Sequence, residues 1–108
     1  MDAYSRRYAG HLSVEEIRRF DDMQWLEVWT PADLETFREG SFAGPAREMP
    51  PIIVVTYPDK DGTSHTEIRD GRGRVNFANA YALRLHVWHL TYTATDFSVN
   101  ASSQYCHE

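Results

Sequence analysis

Asp70-Gly71-Arg72-Gly73-Arg74 is the stretch of this chain whose residue types and spacing suit chemistry on an anion. Glycines in a turn let the backbone approach a ligand closely. A helix opening there would aim its unpaired first-turn N–H groups, and the positive end of its dipole, at a phosphate. Arg69, Arg72 and Arg74 fall within six residues, and the planar fork of arginine grips phosphate oxygens two at a time. The residues therefore nominate Gly71, Arg72, Gly73 and Arg74 as phosphate-binding, with Asn76 near enough to the helix start to reach a ligand. Asp70 would shape the turn or assist a metal, and Glu67 just upstream is a candidate general base or Mg²⁺ ligand. A plainer reading stands beside this one: Asp70-Gly71 turns the chain, Asp70 caps the helix and the arginines are solvated.

The flanking patterns supply the elements that must hold this turn. Pro51–Tyr57 is an unbroken β-branched run, expected to be a central strand covered on both faces. Pro58-Asp59-Lys60-Asp61-Gly62 reads as a turn, so the extended Ser64–Arg69 is expected to return as a hairpin partner. After the glycines, Val75, Ala78, Ala82 and Leu83 form the apolar stripe of a helix. Leu85–Thr93 closes the regular structure, with Leu85, Val87, His89 and Thr91 on one face and His86, Trp88, Leu90 and Tyr92 on the other. His86 and His89 consequently point apart and cannot share a metal ion.

Upstream, Ser13-Val14-Glu15-Glu16 has the form of a capping box and predicts a helix from Val14 to about Asp22. Gln24–Trp29 alternates in a way that suits a short strand. Thr30-Pro31 reads as an N-cap followed by proline at the first helical position, predicting a helix over Pro31–Glu39 closed by a positive-φ Gly40. Gly40–Pro51 is the nearest thing to a linker, and Thr95 onwards is polar enough for a tail. The expected class is α+β: one small domain over residues 1–108 with a mixed β-sheet and three helices. Its motif core is about 50–93, its N-terminal helical region 13–40 and its tail 95–108.

Composition narrows the function classes. A chain of 108 residues has room for one domain. At 42% hydrophobic and 13% aromatic it can build a core. Sixteen acidic against eleven basic residues give a net charge of −5, which opposes binding of long nucleic acid unless basic groups are concentrated locally. The lone Cys106 excludes an intrachain disulfide. With no apolar run of about 20 residues and no signal-like N-terminus, the expectation is a cytoplasmic protein without membrane contact. Trp25, Trp29 and Trp88, with Tyr4, Tyr8, Tyr57, Tyr81 and Tyr92, are mostly expected in the core. Serine-hydrolase, zinc-protease and P-loop motifs are absent.

Pro50–Val55, then Ile68-Arg69-Asp70-Gly71-Arg72-Gly73-Arg74-Val75 with Ala78 and Ala80 after it, and the β run from Leu85, together resemble the ParB/sulfiredoxin-like fold over roughly Pro50–Tyr92. The helix expected at Pro31–Glu39 sits where that family has one. Its characteristic Asp-Gly-x-His-Arg turn binds nucleotide phosphates, so the resemblance implies phosphate binding, with Asp70 and Gly71 matching the Asp-Gly and Arg74 matching the arginine. Gly73 stands at the histidine position, which argues against phosphotransfer. Arg72 stands where sulfiredoxins carry their cysteine, which removes sulfinic-acid reduction. The partition proteins' Gly-Glu-Arg-Arg patch is missing.

The leading expectation is a nucleotide- or phosphate-binding protein that would take Mg²⁺ only with its nucleotide. Any turnover would be phosphoryl transfer or hydrolysis. The alternative is a non-enzymatic module that binds a protein partner through its aromatic and acidic surfaces, and a nuclease or DNA-binding accessory factor ranks third.

Overall fold

Ser13 sets the first corner of the chain. The computed structural model describes residues 4–42 and 49–93, and in it strand β1 (Tyr4–Ser13) runs directly into helix α1 (Val14–Ile17). The capping box forms as the pattern requires: Ser13 Oγ accepts the Glu16 N–H at 3.2 Å and Glu16 Oε1 accepts the Ser13 N–H at 2.9 Å. Two otherwise orphaned donors are satisfied at once.

The helix expected to reach Asp22 is shorter, and the reason is tertiary. From Arg18 to Phe20 the N–H groups bond back three residues, the tighter 3₁₀ spacing. Asp21 then anchors the chain elsewhere, its carboxylate accepting the Met23 N–H at 2.8 Å and the Ile68 N–H at 3.0 Å. Met23 adopts φ 56° and buries its side chain to 3% exposure.

Gln24–Trp29 is a turn and an irregular segment rather than the expected strand. Its polar groups are met by side chains instead of a ladder: the Glu27 N–H donates to Asn76 Oδ1 at 2.9 Å. Helix α2 (Pro31–Phe42) follows, opened by Thr30 Oγ1 accepting the Asp33 N–H and Asp33 Oδ2 accepting the Thr30 N–H, both at 3.1 Å. It passes through Gly40, which is therefore not the positive-φ cap expected there.

Strand β2 (Ile52–Pro58), strand β3 (Ser64–Asp70), helix α3 (Arg72–Tyr81) and strand β4 (Arg84–Tyr92) complete the α+β fold. The four-stranded sheet has the order β1-β4-β2-β3. β1/β4 and β2/β3 are antiparallel while β2/β4 is parallel, so the sheet is mixed, and the β2–β3 hairpin forms as expected. β1 is an element the sequence pattern did not suggest. The expected tail from Thr95 and residues 43–48 of the expected linker lie outside the described residues, while residues 40–42 of that linker belong to α2.

One face of the sheet carries the core. Leu12, Val14, Ile17, Ile52, Val54, Ile68, Val75, Ala78, Leu85 and Val87 form one cluster, which seats α1 and α3 on the same side. Val55 points to the opposite face and is equally closed to solvent, flanked in register by Glu67 and Leu90. No helix among the described residues is long and apolar enough to cross a membrane.

Candidate functional site

Four segments converge on an open cleft of about 400 Å³: the turn after α1, the irregular segment around Trp25, the middle of β3 and the first residue of α3. That size falls within the range of small-molecule sites, roughly 300–1,000 Å³. Arg18, Arg19, Trp25, His65, Glu67 and Arg72 are the side chains on it that could do chemistry. The Asp21 anchor brings its first wall against β3 by accepting the Ile68 N–H at Oδ2, and the same oxygen lies 3.5 Å from the Trp25 indole nitrogen.

The charges in this cleft are unevenly spent. Glu67 is held from both sides, Oε1 2.8 Å from His65 Nε2 and Oε2 3.2 Å from Arg69 Nη2. Arg18 pairs with Glu15 at 3.1 Å. Arg72 and Arg19, by contrast, make no ion pair among the described residues. The Arg72 guanidinium lies 5.3 Å from the Trp25 ring centroid and that of Arg19 lies 4.7 Å from the Phe20 ring. Such contacts are worth about 0.5–1 kcal/mol at exposed sites and leave the N–H fork able to meet an anion.

The structure divides the residues nominated from sequence into two groups. Arg72 lines the cleft, whereas Glu67 borders it from β3 with its side chain on the Val55 face of the sheet, held by His65 and Arg69. Arg74 does neither: its Nη2 donates to the Pro51 carbonyl at 3.1 Å and lies 3.4 Å from Asp70 Oδ2, fastening the first turn of α3 to the start of β2. Its Nε is buried without a hydrogen-bond partner. Gly71 is the N-cap of α3 at φ 113°, with no side-chain cap bond, so Asp70 does not cap the helix. A Cβ at Gly71 would sit 2.5 Å from Ile52 Cγ2, and one at Gly73 would sit 2.7 Å from Phe37 Cε1. Both glycines therefore serve close packing.

Asn76, nominated to reach a ligand near the helix start, is 6% exposed. It is committed to the Glu27 N–H, and its position on the inner side of α3 follows from Val75, Phe77 and Ala78 being buried around it.

His65 is the imidazole that Glu67 holds, Nε2 lying 2.8 Å from its Oε1. His86 and His89 do point apart: His86 Nδ1 is 2.6 Å from the Tyr8 hydroxyl, whereas His89 Nε2 is 2.7 Å from Thr56 Oγ1. Burial, then the charges of Arg7 and Arg19, hold the His89 pKa below its ordinary value. Burial and then the Glu67 carboxylate push the Tyr57 hydroxyl up. Sequence reasoning missed Arg19, Asp21 and Trp25 as parts of the site. An Asp-Asp pair after a capped helix was the available signal, since short acidic side chains favour local backbone bonds over helix.

Among the described residues no group of three or more His, Cys, Asp or Glu could hold a metal ion. Compared with protein-family models, curated proteins and solved structures, the chain matches none.

Proposed function

We propose that the protein binds a small phosphate-bearing ligand of the nucleotide class in the cleft between the α1 turn, β3 and the start of α3. The observation that carries this reading is the pair of ring-stacked guanidiniums, Arg19 and Arg72, that face the cleft without a carboxylate partner among the described residues. Arg72 also stands on the first turn of α3, where N–H groups lack intrahelical acceptors and the helix dipole favours negative charge. The resemblance of Pro50–Tyr92 to the ParB/sulfiredoxin-like fold points the same way, since that family binds nucleotide phosphates at the corresponding turn. Trp25 offers a ring beside the same arginine.

In this reading Arg72 takes the role that the family pattern gives to Arg74, which is spent on the Pro51 carbonyl. Glu67 and Asp70 each face a cation, so the ligand's own phosphates would carry any Mg²⁺. Binding is the function claimed. A base role for Glu67 would require it to leave His65 and Arg69.

The test is an amide and indole NMR titration with ATP, CTP, GTP and inorganic phosphate. Shifts centred on Arg72, Trp25 and His65 are expected. Shifts confined to residues outside the cleft would overturn the reading.

A second reading, a protein-interaction module, is favoured by one observation. Val28 is 95% exposed at the mouth of a separate cleft of about 410 Å³ that also has Trp29, Phe37, Glu27 and Asp33 on its walls. Trp29 and Phe37 meet edge to face at 5.2 Å. Rings beside carboxylates suit a lysine or arginine side chain of a partner. A basic peptide bound by wild type and released by Trp29→Ala would support that reading, and equal binding by both would contradict it.

A further inference from the structure

The sheet face turned away from α1 and α3 has a side-chain order that neither reading above uses. Tyr8 pairs in register with Trp88, Arg6 with Leu90 and Tyr4 with Tyr92. Cross-strand partners project from the same face, so two ring pairs bracket a guanidinium. The Tyr8 and Trp88 centroids are 5.4 Å apart, those of Tyr4 and Tyr92 are 4.9 Å apart, and Arg6 lies 5.9 Å from the Trp88 ring. Four residues of strand separate the two ring pairs by roughly 13 Å. His11 and His86 extend the row, their rings stacked at 4.2 Å. Tyr8 is 45% and Tyr4 41% exposed.

Charge is segregated along with the rings. Strands β1, β2 and β4 contain no Asp or Glu, although the chain has sixteen, and the carboxylate that β3 adds to this face, Glu67, is held by His65 and Arg69. The net charge of −5 averages over this separation.

We infer that the Tyr4–Tyr8–Trp88–Tyr92 face, with Arg6 at its centre, is a binding platform for a single-stranded nucleic acid. Its bases stack on the two ring pairs while Arg6 meets the intervening phosphate. Every base has a π-face, so this mode tolerates sequence, and it requires a cation between the rings. A duplex offers no free base faces to the platform.

The test uses the full chain and fluorescein-labelled ten-nucleotide oligo(dT) and oligo(U), followed by anisotropy at about 50 and 200 mM salt, where release of counterions is readily seen. Binding is expected at the lower salt and weaker at the higher. Tyr8→Ala and Trp88→Ala are each expected to weaken it about tenfold, within the range measured for loss of one stacking ring. Tyr8→Phe retains the ring and should bind like wild type. Tyr8 is exposed, so its variants keep the test valid if Trp88→Ala fails to fold. Arg6→Gln should flatten the salt slope by about 0.7. Absence of binding to either oligonucleotide would overturn the proposal. So would binding that Tyr8→Ala and Arg6→Gln leave intact, or equal affinity for a duplex of the same length. Occupation of the face by a second copy or by another part of this chain would appear as one of these negative results.

Discussion

Phe37 of α2 lies over Gly73 of α3 so closely that a Cβ on the glycine would come within 2.7 Å of the ring. The same ring sits 5.6 Å from Phe77 one turn further along. Gly73 is thus the notch that lets α2 lean on α3. This gives a physical reason for a glycine at this position, because any side chain there meets the ring.

Gly73→Ala should therefore destabilise the protein, against the usual helix-interior gain of 0.5–1 kcal/mol for that change. Overpacking costs about 1–3 kcal/mol, or roughly 4–8 °C in Tm per kcal/mol for a domain of this size. Thermal melts of Gly73→Ala in wild-type and Phe37→Ala backgrounds check it. The penalty should shrink or reverse once the ring is gone, and an equal penalty in both backgrounds would show that the contact is not its source.

Asn76 is expected to matter for stability rather than for ligand binding. Its Oδ1 is the acceptor for the Glu27 N–H, and leaving a buried donor unmet costs about 1–3 kcal/mol. Asn76→Ala should lower the unfolding free energy by that order and speed hydrogen exchange at Glu27. Nucleotide affinity measured on the folded fraction should be unchanged. Intact stability with lost affinity would instead place Asn76 at the ligand.

His89 gives a pH dependence with a definite sign. Burial, and then Arg7 and Arg19, lower its folded-state pKa from the ordinary 6.5, so the unfolded chain binds the proton more readily. The contribution is present at neutral pH, is lost as pH falls through 6.5, and levels off below the lowered folded value. Urea midpoints between pH 7.5 and 5 should fall on acidification, and less in His89→Gln. Glu16, lowered chiefly by its bonds with Ser13, has the same sign in a lower window: its contribution is lost only as pH falls below its ordinary 4.5. A His89→Gln profile parallel to wild type would contradict the assignment.

Much of the fold was legible because local and tertiary preferences agree there. The Ser13 capping box, the Thr30-Pro31 helix start, the β2–β3 hairpin and the glycine-marked entry to α3 all form where their residue types require. β1 was hidden because only Leu12 of its ten residues is buried. Its outward rings and arginines break the polar–apolar alternation that marks a half-buried strand. Trp25 and Trp29 mimicked that alternation in a segment whose Glu27 N–H is met by Asn76, whose Leu26 N–H bonds the Met23 carbonyl and whose first indole leans on Asp21. The candidate site was half legible. Arg72 and Glu67, nominated from their residue types, both border the cleft, but the spending of Arg74 on the Pro51 carbonyl and the approach of Arg19 and Trp25 depend on contacts between residues far apart in sequence.

The most direct measurement of the central claim is a thermal-shift series with ATP, ADP, CTP, GTP and inorganic phosphate, each with and without Mg²⁺, on wild type, Arg72→Ala and Arg74→Ala. A ligand at about 100 times its Kd adds about 2.7 kcal/mol to the folded state, an upward Tm shift of roughly ten degrees or more at this size. The account expects a nucleotide-dependent rise that Arg72→Ala abolishes. Arg74→Ala should lower the starting Tm yet keep the rise. No rise with any ligand, or a rise lost with Arg74→Ala and kept with Arg72→Ala, would contradict it.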